Sequence, residues 1–83
     1  MIRVLYFARV REQMGQAEES IEWQPGLRTL DAIREHLIVL HPDKDAVLQA
    51  RDLLVARNQT MTSWQEPVAD GDEVAIFPPV TGG

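Results

Sequence analysis

The side chains of this 83-residue sequence hold little that could do chemistry unaided. With no cysteine there is no thiolate nucleophile, disulfide or Cys-based zinc site. If the protein carries sulfur, it does not carry it as a persulfide. His36 and His41 miss the i, i+4 spacing that sets two ligands on one helix face, and no third ligand accompanies them. Asp70 and Asp72 resemble a fragment of a calcium loop whose other ligand positions are missing, so they read as a turn. No nucleophile has an orienting base beside it in the sequence. The chain is therefore expected to bind no metal and no cofactor, and to turn nothing over by itself.

What remains is the α-carboxylate of Gly83. The closing stretch DGDEVAIFPPVTGG joins a turn at Asp70-Gly71-Asp72, a strand-like run from Glu73 to Phe77, a Pro78-Pro79 pair and a Gly82-Gly83 terminus. Proline fixes φ near −65° and has no N–H, so the pair projects the chain outward and stops further sheet pairing. Pro78 to Gly83 would reach on the order of 20 Å, at ~3.3–3.6 Å per extended residue. Gly82 and Gly83 have no Cβ, so a narrow channel would admit them and a partner's backbone could come close. A carboxylate delivered in this way into another protein's active site can be activated as an acyl adenylate. Gly83 is thus the candidate reactive residue, with Gly82 beside it, and Pro78, Pro79, Val80 and Thr81 would contact the partner that receives them.

These residues need a body to present them. Ile2 to Val10 is rich in β-branched and aromatic residues and predicts a strand, with apolar residues on both faces in the manner of a central strand. Arg11 to Gln16 predicts a polar connection with one helical turn, and Glu18 to Trp23 a second strand ended by Gln24-Pro25-Gly26. Thr29 is placed to cap a helix whose stripe is Leu30, Ile33, Leu37 and Leu40, and His41-Pro42 closes it. Asp43 to Ala50 predicts a loop with a short helix, Asp52 to Asn58 a strand, Thr60 to Trp64 a short strand, and Glu73 to Phe77 the last. The order predicts an α+β arrangement: a mixed sheet of about four to five strands with one main helix on one face. Residues 1–77 would form a single domain and 78–83 an extended tail. Strand alternation leaves Leu5, Phe7, Ala75 and Phe77 on the uncovered face, with Met61 beside them. Phe7 and Phe77 could be plain core aromatics, but one helix covers only one side of a sheet. An exposed apolar patch of this kind favours a partner surface.

Composition narrows the partners. The net charge of −5 and pI near 4.8 argue against nucleic acid, which needs a basic face, and favour a basic docking surface. No apolar run approaches the ~20 residues of a membrane span, and the start lacks the apolar core of a signal peptide. A cytoplasmic location is expected.

Architecture and tail together resemble the ubiquitin-like β-grasp family, and within it the small, sulfur-carrying subunit of molybdopterin synthase. YFARVRE at Tyr6 to Glu12 with Gly15, RNQT at Arg57 to Thr60, and DGDEVAIFPPVTGG at Asp70 to Gly83 carry the resemblance over essentially the whole chain. Terminal GG is common to ubiquitin-like proteins, whereas DGDEVA followed by FPPV and GG is far more particular. The resemblance implies that an E1-like adenylating enzyme uses ATP to activate Gly83 and that sulfur is then installed as a thiocarboxylate. The tail would enter the large synthase subunit, in a heteromer expected to be a heterotetramer, and give its sulfur to a cyclic pyranopterin precursor of molybdopterin. Many family members carry an apolar residue where Arg57 stands, so docking near it could differ. The alternatives are a thiamine-type sulfur carrier, which is typically shorter and lacks the PPV element, and a ubiquitin-like modifier. A third is an interaction domain with an inert tail.

Overall fold

The structure, a computed structural model, describes residues 1–79. Strand β1 (Ile2–Tyr6) buries Ile2, Val4 and Tyr6 on one face, the period-2 pattern of its sequence. It lies between β2 (Glu18–Ile21), antiparallel to it, and β5 (Glu73–Phe77), parallel to it. On the far side of β5 lie β3 (Leu54–Arg57) and β4 (Thr60–Thr62), both antiparallel to their neighbours, so the order is β2-β1-β5-β3-β4. Five mixed strands with a helix on one face match the expected fold class.

The covering helix is α2 (Leu30–Leu40). The Thr29 hydroxyl accepts from the Ala32 N–H at 3.2 Å, as an N-cap should, and Asp31 places negative charge in the first turn. Leu30, Ile33 and Leu37 are fully buried against Ile2, Val4, Tyr6, Val55, Val74 and Ile76 in one core. Leu40 departs from the predicted stripe: it sits at the stripe's edge on the final turn and is exposed. After a 3₁₀ turn (Pro42–Lys44), α3 (Asp45–Leu48) inserts Leu48 into the core, the short helix the sequence predicts. Arg34 ties α2 to the end of α3 and the chain just beyond it. It donates to the carbonyls of Leu48 (3.4 Å) and Ala50 (3.3 Å) and stacks over Trp64 at 3.9 Å.

The predicted first strand, Ile2 to Val10, is corrected. β1 stops at Tyr6, and Ala8–Met14 form helix α1 in place of a polar connection with one turn. The cause is the spacing of Val10 and Met14, which brings both onto one helix face, where they are buried. Gly15, at φ 76°, closes α1 in the left-handed conformation and donates its N–H to the Arg11 carbonyl. The strands predicted over Glu18 to Trp23, Asp52 to Asn58 and Thr60 to Trp64 are each shorter than expected. Among the described residues no helix is long and apolar enough to cross a membrane.

Candidate functional site

The face of the sheet away from α2 is built by register. Glu18 pairs with Leu5, Leu5 with Ala75, Ala75 with Ala56 and Ala56 with Met61, so four apolar residues form one row across β1, β5, β3 and β4. One step along, Leu54 pairs with Phe77. Phe7 reaches this face because it keeps extended backbone (φ −119°, ψ 151°) one residue past β1, and its N–H donates to the Ile76 carbonyl at 3.1 Å. It therefore lies beside Phe77, with ring centroids 4.8 Å apart and planes 18° apart. Phe7 is 40% exposed and Met61 54%.

All five body residues singled out from sequence, Leu5, Phe7, Met61, Ala75 and Phe77, therefore lie on the face away from α2. Two more belong with them: half-buried Leu54, and Ala56, which like Ala75 is buried within the row. Alternation within DLLVARN would have found both once Val55 was assigned inward.

Pro78 and Pro79 continue from β5, beside a cavity of about 220 Å³ whose other walls include Arg9, Val10 and Gln13 of α1 and Leu53. Val80, Thr81, Gly82 and Gly83 lie outside the described residues.

The polar groups around the sheet are engaged with one another. Arg57, paired with Val74, belongs to the helix-covered face, and its guanidinium contacts Asp72 (2.7 Å) and Glu66 (3.5 Å). Arg57 thus turns away from the apolar row. Asp72 also accepts from the Ala69 N–H at 2.8 Å and from the Asn58 amide at 3.0 Å. Burial pushes the Asp72 carboxyl up, but the hydrogen bonds from Ala69, Asn58 and Arg57, with the Arg57 charge, outweigh it and leave it below its ordinary value. On the helix-covered face Tyr6 donates to Glu19, which also accepts from Gln16 and lies 2.8 Å from His41 Nε2. Burial raises the Tyr6 phenol, and the bond to Glu19 and its charge raise it further, so Tyr6 stays a protonated donor. This cluster ties β1, β2 and the end of α2 together. Among the described residues no group of three or more His, Cys, Asp or Glu could hold a metal ion.

An apolar sheet face running directly into a proline-stiffened exit is suited to docking and delivery. The pattern of the ThiS family matches residues 4–83. A molybdopterin synthase sulfur carrier subunit of Escherichia coli (strain K12) is 45% identical over 83 residues, 100% of each chain. Among solved structures, SAMP1 from Haloferax volcanii superposes with a TM-score of 0.77 at 28% identity, covering 99% of this chain and 98% of its own. Subunits 1 and 2 of molybdopterin-converting factor from Helicobacter pylori 26695, solved as a complex, include a match at TM-score 0.64 and 20% identity, covering 99% and 97%, a likeness of fold. With a ubiquitin-like β-grasp fold and full-length similarity to molybdopterin synthase sulfur carrier subunits, the chain belongs to the ThiS family.

Proposed function

We propose that this chain carries sulfur on its C-terminal carboxylate for the building of molybdopterin. The observation that carries the reading is the continuity of the site: the row Leu5–Ala75–Ala56–Met61 and the Phe7–Phe77 pair lead through β5 into Pro78 and Pro79. A partner seated on that face would meet the end of β5, from which the tail departs beside α1. The name of the Escherichia coli relative supports the assignment to a synthase, and the Helicobacter pylori complex supports a large subunit as partner.

In this reading a Gly83 carboxylate oxygen attacks the α-phosphorus of ATP on an E1-like enzyme, pyrophosphate leaves, and an acyl adenylate forms. A sulfur nucleophile then displaces AMP, leaving a thiocarboxylate. Activation is needed because a free carboxylate is a poor acyl donor, with no leaving group that a sulfur nucleophile could displace. Gly82 and Gly83, without side chains, would enter the partner's channel, and Val80 and Thr81, with the prolines, would contact its entrance. The large subunit receives the tail, and sulfur passes to a cyclic pyranopterin precursor. ATP belongs to the activating enzyme, and the carrier itself needs no cofactor.

The test is intact-mass spectrometry of the full chain with its adenylating enzyme, ATP and a sulfur source. One oxygen is expected to be exchanged for sulfur. No exchange, under conditions that convert a known carrier, would overturn the reading. Stable attachment to lysines of other proteins instead would favour a modifier. Deleting Gly83 should abolish synthase activity and leave the melting temperature unchanged.

A further inference from the structure

We propose that Met61 is a site of reversible oxidation, at which a hydroperoxide weakens the carrier's docking face. The inference rests on the docking reading above and adds a modification to it. The chain has three methionines and no cysteine, so thioethers are its only side-chain sulfur. They stand in different surroundings. Met14 is 6% exposed within the core, Met1 is 59% exposed at the chain start, and Met61 is 54% exposed. Met61 alone of the three pairs into the apolar row, opposite Ala56. Its strand β4 is an edge strand of the sheet, so among the described residues no strand pairs along its free side. It is thus open to oxidant in the free carrier, and a docked partner would cover it.

The chemistry balances. The thioether lone pair attacks one peroxide oxygen, a sulfur–oxygen bond forms and the oxygen–oxygen bond breaks. Sulfur loses two electrons, and the peroxide leaves as water or an alcohol. A sulfoxide reductase reverses this with two thiols, which become a disulfide as the oxygen leaves as water. The product replaces a flexible apolar group with a polar, chiral one. Facing an apolar partner, its oxygen would be buried without a donor.

The experiment treats the full chain, its C-terminal carboxylate free of sulfur, with limiting hydrogen peroxide and maps oxidation by peptide mass spectrometry. The treated protein is then titrated against the large subunit of molybdopterin synthase. Met61 is expected to oxidise at a rate like that of Met1 and well ahead of Met14. Affinity should fall at least tenfold, without a change in melting, and should return after treatment with sulfoxide reductase and thiol. Met61→Leu controls for oxidation elsewhere: its own affinity, whatever its starting value, should be the same before and after peroxide. The proposal is overturned if Met61 oxidises no faster than Met14, if its sulfoxide binds like the thioether, if the oxidised protein unfolds, or if Met61→Leu loses affinity on treatment. Phe7→Ala separates this failure from that of the docking reading. If Phe7→Ala loses binding while the sulfoxide binds normally, only the oxidation site falls. If both bind normally, the docking face itself is wrong.

Discussion

Phe7 and Phe77 stack on each other on the face away from the core, whereas Ile33 is fully buried beneath α2. The two kinds of residue should answer truncation differently. Phe7→Ala or Phe77→Ala should weaken binding to the large synthase subunit by about 2 kcal/mol or more, as buried aromatic anchors do. Each should lower stability less than Ile33→Ala, for which ~2–5 kcal/mol is typical. Titration and thermal melts of the three variants check this, and Phe variants that bind normally but unfold readily would return these rings to the core. Asp72 carries a different expectation. Asp72→Ala leaves the Ala69 N–H and the Asn58 amide without their acceptor, and should cost about 1.5–3 kcal/mol at neutral pH. Because the folded carboxyl is held below its unfolded value, its stabilisation is fully present above about pH 4 and is lost as pH falls through the folded pKa. The variant's stability should therefore fall less steeply on acidification, measured by urea melts at stepped pH. Alternation sufficed to place Leu5, Phe7, Ala75 and Phe77. The Asp72 cluster was not legible, since it joins β3, the turn before β5 and Glu66 through contacts that no local pattern encodes.

At the scale of elements, strands and the main helix were legible where a period ran uninterrupted, as in Ile2 to Tyr6 and Leu30 to Leu37. The sequence misleads where two periods overlap. Ala8 and Val10 continue the alternation of β1, yet Val10 and Met14 also satisfy a helix, and the helix wins because both can be buried. Ala8 enters that helix at φ 52°, a left-handed value that favours glycine. The β3–β4 hairpin shows a similar departure from preferred chemistry. Arg57 pairs with Thr60, leaving Asn58 (φ 49°) and Gln59 (φ 71°) as the two turn residues. Positive φ at both positions is the turn that matches strand twist, and it ordinarily takes Asn-Gly. Asn58 is well suited, and its side chain also accepts from the Glu73 N–H at 2.9 Å. Gln59 is not, since a residue with a Cβ gives up roughly 1–2 kcal/mol in this region. Gln59→Gly should therefore stabilise the protein by about 1 kcal/mol, a rise of ~4–8 °C in melting temperature for a domain of this size. Calorimetry decides it, and an unchanged or lower melting temperature would show that Gln59 is held there by a contact glycine cannot replace.

For the whole molecule, the proposed function asks one surface to serve two successive partners. The sheet has two faces, and α2 with the core occupies one of them. The other carries the apolar row, and β5, which contributes to that row, ends where Pro78 and Pro79 begin, beside α1 and α3. In the proposed function the adenylating enzyme and the large synthase subunit each need the tail, so each must approach from the side on which it leaves. The net charge of −5 lets both use basic surfaces to speed encounter without adding a second binding site. It follows that the two partners should bind in competition and never together. A labelled carrier bound to the large subunit should be displaced stoichiometrically by added adenylating enzyme, and Phe7→Ala or Phe77→Ala should weaken both complexes in parallel. Raising salt should slow association with each partner while changing dissociation little, because steering charges act before the apolar row makes contact. A ternary complex in analytical ultracentrifugation, or a Phe variant that loses one partner and keeps the other, would mean that the carrier presents two surfaces and that only the tail is shared.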